Sequence, residues 1–325
     1  MDLFLSIFPI VLLIYLMVKR NAFPSYVALP LIAGLVYLLQ MFYFKNEFVL
    51  LNANIVSAII SVFTPISVIF GAVFFNRMME TSGAMNTLRS WLGNISENPV
   101  AQLMIIGWAF AFMLEGASGF GTPVAIAAPI LVGIGFKPMQ VVMLALVMNS
   151  VPVSFGAVGT PTWYGFKTLL DSGTIGGEDV SSIGKYSALI HFVAAFVIPI
   201  LALRFIVSWK EIKQNILFIL LSVLSCTVPY LLIAQFNYEF PSLVGGAIGL
   251  FVSVLLAGKG IGLAKTEQKK EKQPIAAKTL IKAFTPTLLL IIILVLTRVQ
   301  QLPFKAMLND SSEWLEFSLG ELGIF

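Results

Sequence analysis

What most constrains this chain is the length of its apolar runs. They fall at 3–18, 24–44, 55–75, 99–114, 184–208, 214–236, 240–258 and 283–300. Runs of roughly 17–25 apolar residues cross the hydrocarbon core of a bilayer as helices. Backbone amides and carbonyls in lipid must be satisfied within the segment, which leaves the helix as the fold of each run. The sequence therefore predicts an all-α, polytopic membrane protein with about eight full spans plus broken or re-entrant segments. Composition agrees: 58% of residues are hydrophobic and 11% charged, against about 25% charged in soluble domains.

The charges report topology. The net charge of +4 and the pI near 9.1 would suit nucleic acid if the basic residues formed a patch. They are instead distributed by side. Lys19 and Arg20 close the first run, so that end is cytoplasmic and the N-terminus outside. The opening segment is no secretory signal, because Asp2 precedes the apolar run and the basic pair follows it. Counting crossings places Arg77, Arg89, Lys137, Arg204, Lys210, Lys213 and the Lys-rich loop 259–282 inside. Asp171, Glu178 and Asp179 fall outside. The loop's seven lysines follow from the positive-inside rule, and no nucleic-acid partner is expected. Segment 84–98 is too polar to span and is expected along the interface. Cys226 and His191 are each the single residue of their type, which excludes an intrachain disulfide and a Cys-based or multi-His metal site. No cofactor is implied.

Between Leu114 and Pro138 the chain reads LEGASGFGTPVAIAAPILVGIGFKP, a carboxylate, glycines and prolines inside an apolar region. An echo follows at Phe155-Gly156-Ala157-Val158-Gly159-Thr160-Pro161. Each copy holds a Phe-Gly step and a Gly-Thr-Pro, with Ser118 or Ser154 just upstream. Glu115 precedes one copy and Asn149 the other. Helix breaks at membrane depth are tolerated where they line a cavity. The N-terminus of a half-helix offers unpaired N–H donors and a partial positive charge, which suit a carboxylate. Proline fits the first turn of a helix starting at Pro123 or Pro161, which puts Thr122 and Thr160 at cap positions. The expected anion site comprises Ser118, Gly119, Gly121, Thr122, Asn149, Ser154, Gly156, Gly159 and Thr160. Glu115 is the expected proton carrier, since a charged carboxylate is costly in the membrane interior. The bland alternative is that these small residues serve close helix packing.

These residues carry a resemblance. LEGASGFGTPVAIAAPILVGIGFKP, followed by NSVPVSFGAVGTP, closely resembles the L-lactate permease family of bacterial membrane transporters, as do a basic residue near Arg77 and the Ala283–Leu308 region. Thr122 stands where that family often has Ala. The resemblance implies import of L-lactate and related 2-hydroxymonocarboxylates such as glycolate by proton symport across the bacterial inner membrane. It also implies an inverted-repeat architecture of which this chain would be one half, since family members continue with a second set of spans. On that reading the chain is an N-terminal fragment or truncated form, with 1–98 the first spans and interfacial helix, 99–170 the substrate-site region, and 171–325 the later spans, the Lys-rich loop and an outside C-terminal segment. Two alternatives stand beside it: an inactive permease fragment, and a rhomboid-like intramembrane protease using Ser118, in Gly116-Ala117-Ser118-Gly119, with His191.

Overall fold

The computed structural model describes residues 1–265, 276–298, 302–304 and 307. Residues 266–275 of the Lys-rich loop and the acidic C-terminal segment lie outside the described residues. The described residues are helical, and the chain falls into two compact units, Met1–Val68 and Ile69–Asp310.

In the first unit, α1 (Asp2–Val18), α2 (Ser25–Phe42) and α3 (Phe48–Ser61) follow one another. α1 packs on α2, and α2 on α3. The Tyr43 hydroxyl donates to Asp2 Oδ1 at 2.8 Å, tying the end of α2 to the start of α1. Many of the large apolar side chains of these helices are exposed, Phe4, Ile10, Leu31 and Phe48 among them. That is the pattern of a surface whose solvent is lipid. Helix α4 (Phe63–Thr81) starts directly after Val62. The apolar run expected at 55–75 is thus the middle of a longer stretch, Phe48–Thr81.

The second unit takes in α4 from Ile69 onward and then α5 (Ala84–Ile95), which buries Met85, Leu88 and Leu92 on one face. The Asn98 side chain then caps α6 (Pro99–Gln102), accepting from the amides of Val100 and Ala101. A π-helical stretch, Leu103–Phe110, continues into α7 (Ala111–Ala117). Together these form the helix around which the unit is built: 94% of its span window is buried. A π-helical stretch widens the turn and occurs most often at functional sites.

Next come α8 (Thr122–Ile134), α9 (Pro138–Asn149), a 3₁₀ turn at Val153–Phe155, and α10 (Gly156–Gly165). The chain bends by 67° between α9 and the segment Val153–Gly165. Short α11 (Lys167–Asp171) leads to α12 (Gly177–Ala194) and α13 (Ile198–Leu203). The run expected as one span at 184–208 is therefore divided. Pro199 lacks an amide and restricts the residue before it, and the helix restarts there. Helix α14 (Trp209–Gln214) begins with a capping box. The Ser208 amide and hydroxyl both donate to the Glu211 carboxylate, and these bonds hold Glu211 below the usual carboxylate range.

Helices α15 (Ile216–Ala234) and α16 (Pro241–Gly258) pack closely together, and α16 packs on α7. The approach is backbone to backbone. A Cβ on Gly116 would overlap the Leu243 backbone, and one on Gly246 the Met113 backbone. Some small residues therefore do serve packing. Helix α17 (Ala277–Arg298) lies against α5, with the Trp91 and Phe284 rings edge to face at 5.4 Å.

Among the described residues, five helices are long and apolar enough to cross a membrane, or six if the bent pair α9 and Val153–Gly165 counts as one span. Helices α1 and α8 are apolar but shorter. The protein is an all-α, multi-pass membrane protein.

Candidate functional site

The two Gly-Thr-Pro breaks share one backbone form. In the first, Gly119, Phe120 and Gly121 have φ of +55°, +49° and +79°. In the second, Ala157, Val158 and Gly159 have φ of +42°, +54° and +72°. Each is a run of three left-handed residues ending at glycine and followed by Thr-Pro. Glycine adopts this conformation without strain, whereas for a β-branched residue such as Val158 it is a true outlier. Strained backbone of this kind costs of order 1–3 kcal/mol per residue and persists where its surroundings fix it.

The structural equivalence runs through Gly-Thr-Pro. The Phe155-Gly156 step seen as part of the echo lies just ahead of the second left-handed run. The threonines do not occupy the expected cap positions. Gly121 is the N-cap of α8, and Thr122 is its first helical residue. The left-handed Gly121 displaces the α8 cap by one position, and Thr160 lies inside α10, whose cap is Phe155. The Thr122 amide donates to the Gly119 carbonyl at 2.9 Å, and the Thr160 hydroxyl donates to the Ala157 carbonyl at 2.6 Å. Each threonine thus closes the left-handed turn that precedes it.

The breaks touch. A Cβ on Gly119 would come within 2.9 Å of both the Cβ and the nitrogen of Ala157. Behind that contact sits Glu115, 1% exposed. Asn149, the last residue of α9, donates from Nδ2 to Glu115 Oε2 at 3.1 Å. A Cβ on Gly156 would overlap Glu115 Oε1. The carboxyl group is therefore wedged between the end of α9 and the start of α10, with one oxygen facing each. The two polar residues expected at the separate copies form one pair.

The hydroxyls divide into two groups. Ser118 donates to the Leu114 carbonyl at 2.9 Å, so its proton, like that of Thr160, is engaged within the protein. Thr122 and Ser154 are half-buried; the Thr122 amide and the Ser154 carbonyl are bonded to Gly119 and Thr162, but neither hydroxyl makes a hydrogen bond within the described residues, which leaves both free to donate to a ligand. Gly121 is exposed with open space where a Cβ would stand. Gly159 is closed off, since a Cβ there would lie 2.7 Å from the Tyr238 carbonyl oxygen and 2.8 Å from the Glu239 Cα.

Three residues that sequence reasoning passed over brace the second break. Tyr230 donates to the Val151 carbonyl at 3.4 Å, and its ring packs on Phe155 and Phe112. The Ser242 hydroxyl donates to the Pro152 carbonyl at 2.6 Å. Glu239 lies against Gly159. The carboxylate of Glu239 amid apolar residues was a readable signal. Tyr230 and Ser242, both inside helices, gave none.

His191 and Ser118 do not form the pair a Ser–His protease needs. His191 Nδ1 is bonded to the Tyr230 hydroxyl at 2.8 Å, and Ser118 to the Leu114 carbonyl. Among the described residues, no group of His, Cys, Asp or Glu is placed to hold a metal ion.

The sequence profile of L-lactate permeases matches residues 2–325. The chain belongs to the L-lactate permease family. A Haemophilus influenzae protein that carries the L-lactate permease name is 63% identical over 99% of this chain and 60% of its own length. The L-lactate permease of Halalkalibacterium halodurans is 34% identical over 82% of the chain and 50% of its own length. The glycolate permease of Escherichia coli is 27% identical over 74% and 45%. The chain thus spans about half to three-fifths of these permeases. No solved structure matches it. Within this L-lactate permease family member, the paired breaks and the Glu115–Asn149 pair form the candidate site.

Proposed function

We propose that the chain acts in secondary active import of L-lactate and related 2-hydroxymonocarboxylates such as glycolate, by proton symport across a bacterial inner membrane. The observation that carries this reading is the buried Glu115–Asn149 pair set behind two touching helix breaks. Family membership and the names of the relatives supply the substrate class.

In this reading the substrate carboxylate meets the breaks. The Thr122 and Ser154 hydroxyls donate to it, together with amides at the start of α8. The Thr122 amide is bonded to Gly119 and Pro123 has none, so Val124 supplies the amide in the first turn. Gly119, Gly121, Gly156 and Gly159 let backbone approach backbone and ligand. Ser118 and Thr160 hold the turns, and Asn149 borders the site. Glu115 carries the coupling proton. One proton moving with one monoanion transfers no net charge, so the pH gradient drives uptake and the membrane potential, worth about 2.3 kcal/mol per charge per 100 mV, adds nothing directly.

The finer architecture belongs to the same proposal: about eight spans forming one half of an inverted repeat, the N-terminus outside, and the Lys-rich loop 259–282 in the cytoplasm.

The test is uptake of labelled L-lactate into vesicles under an imposed pH gradient, comparing the wild type with Glu115→Gln. The variant should lose accumulation against a gradient and keep counterflow between two lactate pools. Continued gradient-driven accumulation by Glu115→Gln would remove Glu115 from the coupling.

A further inference from the structure

Asn149 Oδ1 is buried and has no hydrogen-bond partner, although Nδ2 of the same amide donates to Glu115. A buried acceptor without a partner costs of order 1–3 kcal/mol and calls for an explanation. The chemistry of the pair supplies one. An ionised carboxylate only accepts hydrogen bonds, and Nδ2 is a donor, so the observed pairing suits ionised Glu115, and it suits the C=O oxygen of the protonated form but not its O–H. A protonated carboxyl is itself a donor, and an amide nitrogen cannot accept from it. The acceptor that this O–H needs is on the same side chain, at the other end of the amide.

We propose that Asn149 senses the proton on Glu115 by turning its amide over. This rests on the reading of Glu115 as the proton carrier. With Glu115 ionised, Nδ2 faces it and Oδ1 faces away. With Glu115 protonated, a half-turn about Cβ–Cγ brings Oδ1 to the Glu115 O–H and sends Nδ2 to the far side. The amide's two ends are nearly the same size, so the turn needs no repacking. Its consequence is a change of sign at the far side. An acceptor oxygen, which repels a carboxylate, is replaced by an N–H₂ donor, which attracts one. Proton binding therefore favours substrate binding, and substrate binding favours the proton by the same factor. Asn149 is a positioning residue for the proton as well as a wall of the site.

The surroundings leave Glu115 to Asn149. The π-helical stretch, α8, α9, the 3₁₀ turn and α16, all packed against α7, carry no ionisable side chain, and α10 carries only Tyr164. Another acidic residue, Glu239, lies against Gly159 of the second break. No lysine, arginine or histidine on these elements offers Glu115 a counter-charge, and the side chain that hydrogen-bonds it is the Asn149 amide.

The experiment is infrared difference spectroscopy of the full chain in lipid vesicles between high and low pH. The carboxylic-acid C=O band of Glu115 is assigned by its loss in Glu115→Gln. In Asn149→Leu, which keeps the shape and removes both polar ends, that band should persist but shift to higher frequency, because the O–H has lost its acceptor. In Asn149→Ser, whose hydroxyl can accept or donate, the band should stay nearer its wild-type position. In the wild type, the Asn149 amide band, marked by isotope-labelled asparagine, should change at the same pH as the acid band. An unshifted acid band in Asn149→Leu, or a pH titration with no Glu115 band at all, overturns the amide turn. Failure of the proton-carrier reading is a separate result, seen when Glu115→Gln still accumulates lactate.

Discussion

Gly119 and Ala157, 38 positions apart in the chain, meet so closely that a Cβ on the glycine would stand 2.9 Å from the alanine's Cβ. Both are left-handed. The two helix breaks are therefore one structural object: each left-handed run packs against the other, and a change in either is felt by both.

The glycines of the breaks should respond in a graded series. Gly119→Ala and Gly159→Ala meet both strain and overlap, and each should destabilise by about 2 kcal/mol or more. Gly121→Ala meets open space but keeps φ at +79°, so only the left-handed strain of about 1–2 kcal/mol remains. Gly133→Ala, inside α8 with nothing nearby, should be neutral or stabilising by roughly 0.5 kcal/mol. Thermal unfolding of the four variants in detergent checks the order. Equal melting temperatures would mean that the breaks are not held in the left-handed form.

Hydroxyl removal should separate ligand contacts from turn closures. Thr122→Val and Ser154→Ala should weaken lactate binding by about tenfold, the worth of a hydrogen bond to a charged group. Ser118→Ala should leave affinity within about threefold, because its proton serves Leu114 and a neutral internal bond contributes about 1 kcal/mol to stability. Direct binding of labelled lactate to the purified variants measures this. A larger loss in Ser118→Ala than in Thr122→Val would reverse the assignment.

Gly249 should behave as a packing residue. A Cβ there would overlap Cys226 Sγ, so Gly249→Ala should destabilise by about 1–3 kcal/mol through overpacking. Adding Cys226→Ala should restore part of the loss, though the Cys226 Cα at 2.9 Å still limits the fit. Melting temperatures of the single and double variants test the pair, and strict additivity would show that the two residues do not meet.

The Glu211 cap should make the start of α14 sensitive to acid. Its carboxyl is held below the usual range by Ser208. The cap's contribution is thus present above the ordinary glutamate pKa and is lost as pH falls through the lower folded value. Hydrogen exchange of the α14 amides should quicken at low pH in the wild type. In Glu211→Gln the exchange should be faster from the outset, and its structural part independent of pH over that range. A wild-type profile matching the variant's would show that the cap is not ionised.

How much of this was readable depended on whether each feature has a local cause. Five or six of the roughly eight expected spans follow from apolar length among the described residues, and the pairing of the two breaks from Gly-Thr-Pro written twice. Pro199 marked the division of the 184–208 run, and its restriction of the preceding residue was the signal to use. The left-handed form of Ala157 and Val158 has no local cause at all, since neither residue favours it. It is imposed by Gly119, Tyr230, Ser242 and the Glu115 carboxyl from distant parts of the chain. The same holds for Gly249, where whether a glycine bends the backbone or admits a neighbour depends on the helix opposite. The displaced cap of α8 follows instead from the left-handed Gly121 just before Thr122.

Ala157 and Val158 hold a conformation that their own chemistry disfavours by of order 1–3 kcal/mol apiece. That places the second break near a tipping point. When the contacts that restrain it loosen, the turn relaxes downhill, so a change at Gly119 or Gly159 is felt first at these two residues. The segment thus behaves as a cocked spring, set and held by the rest of the fold.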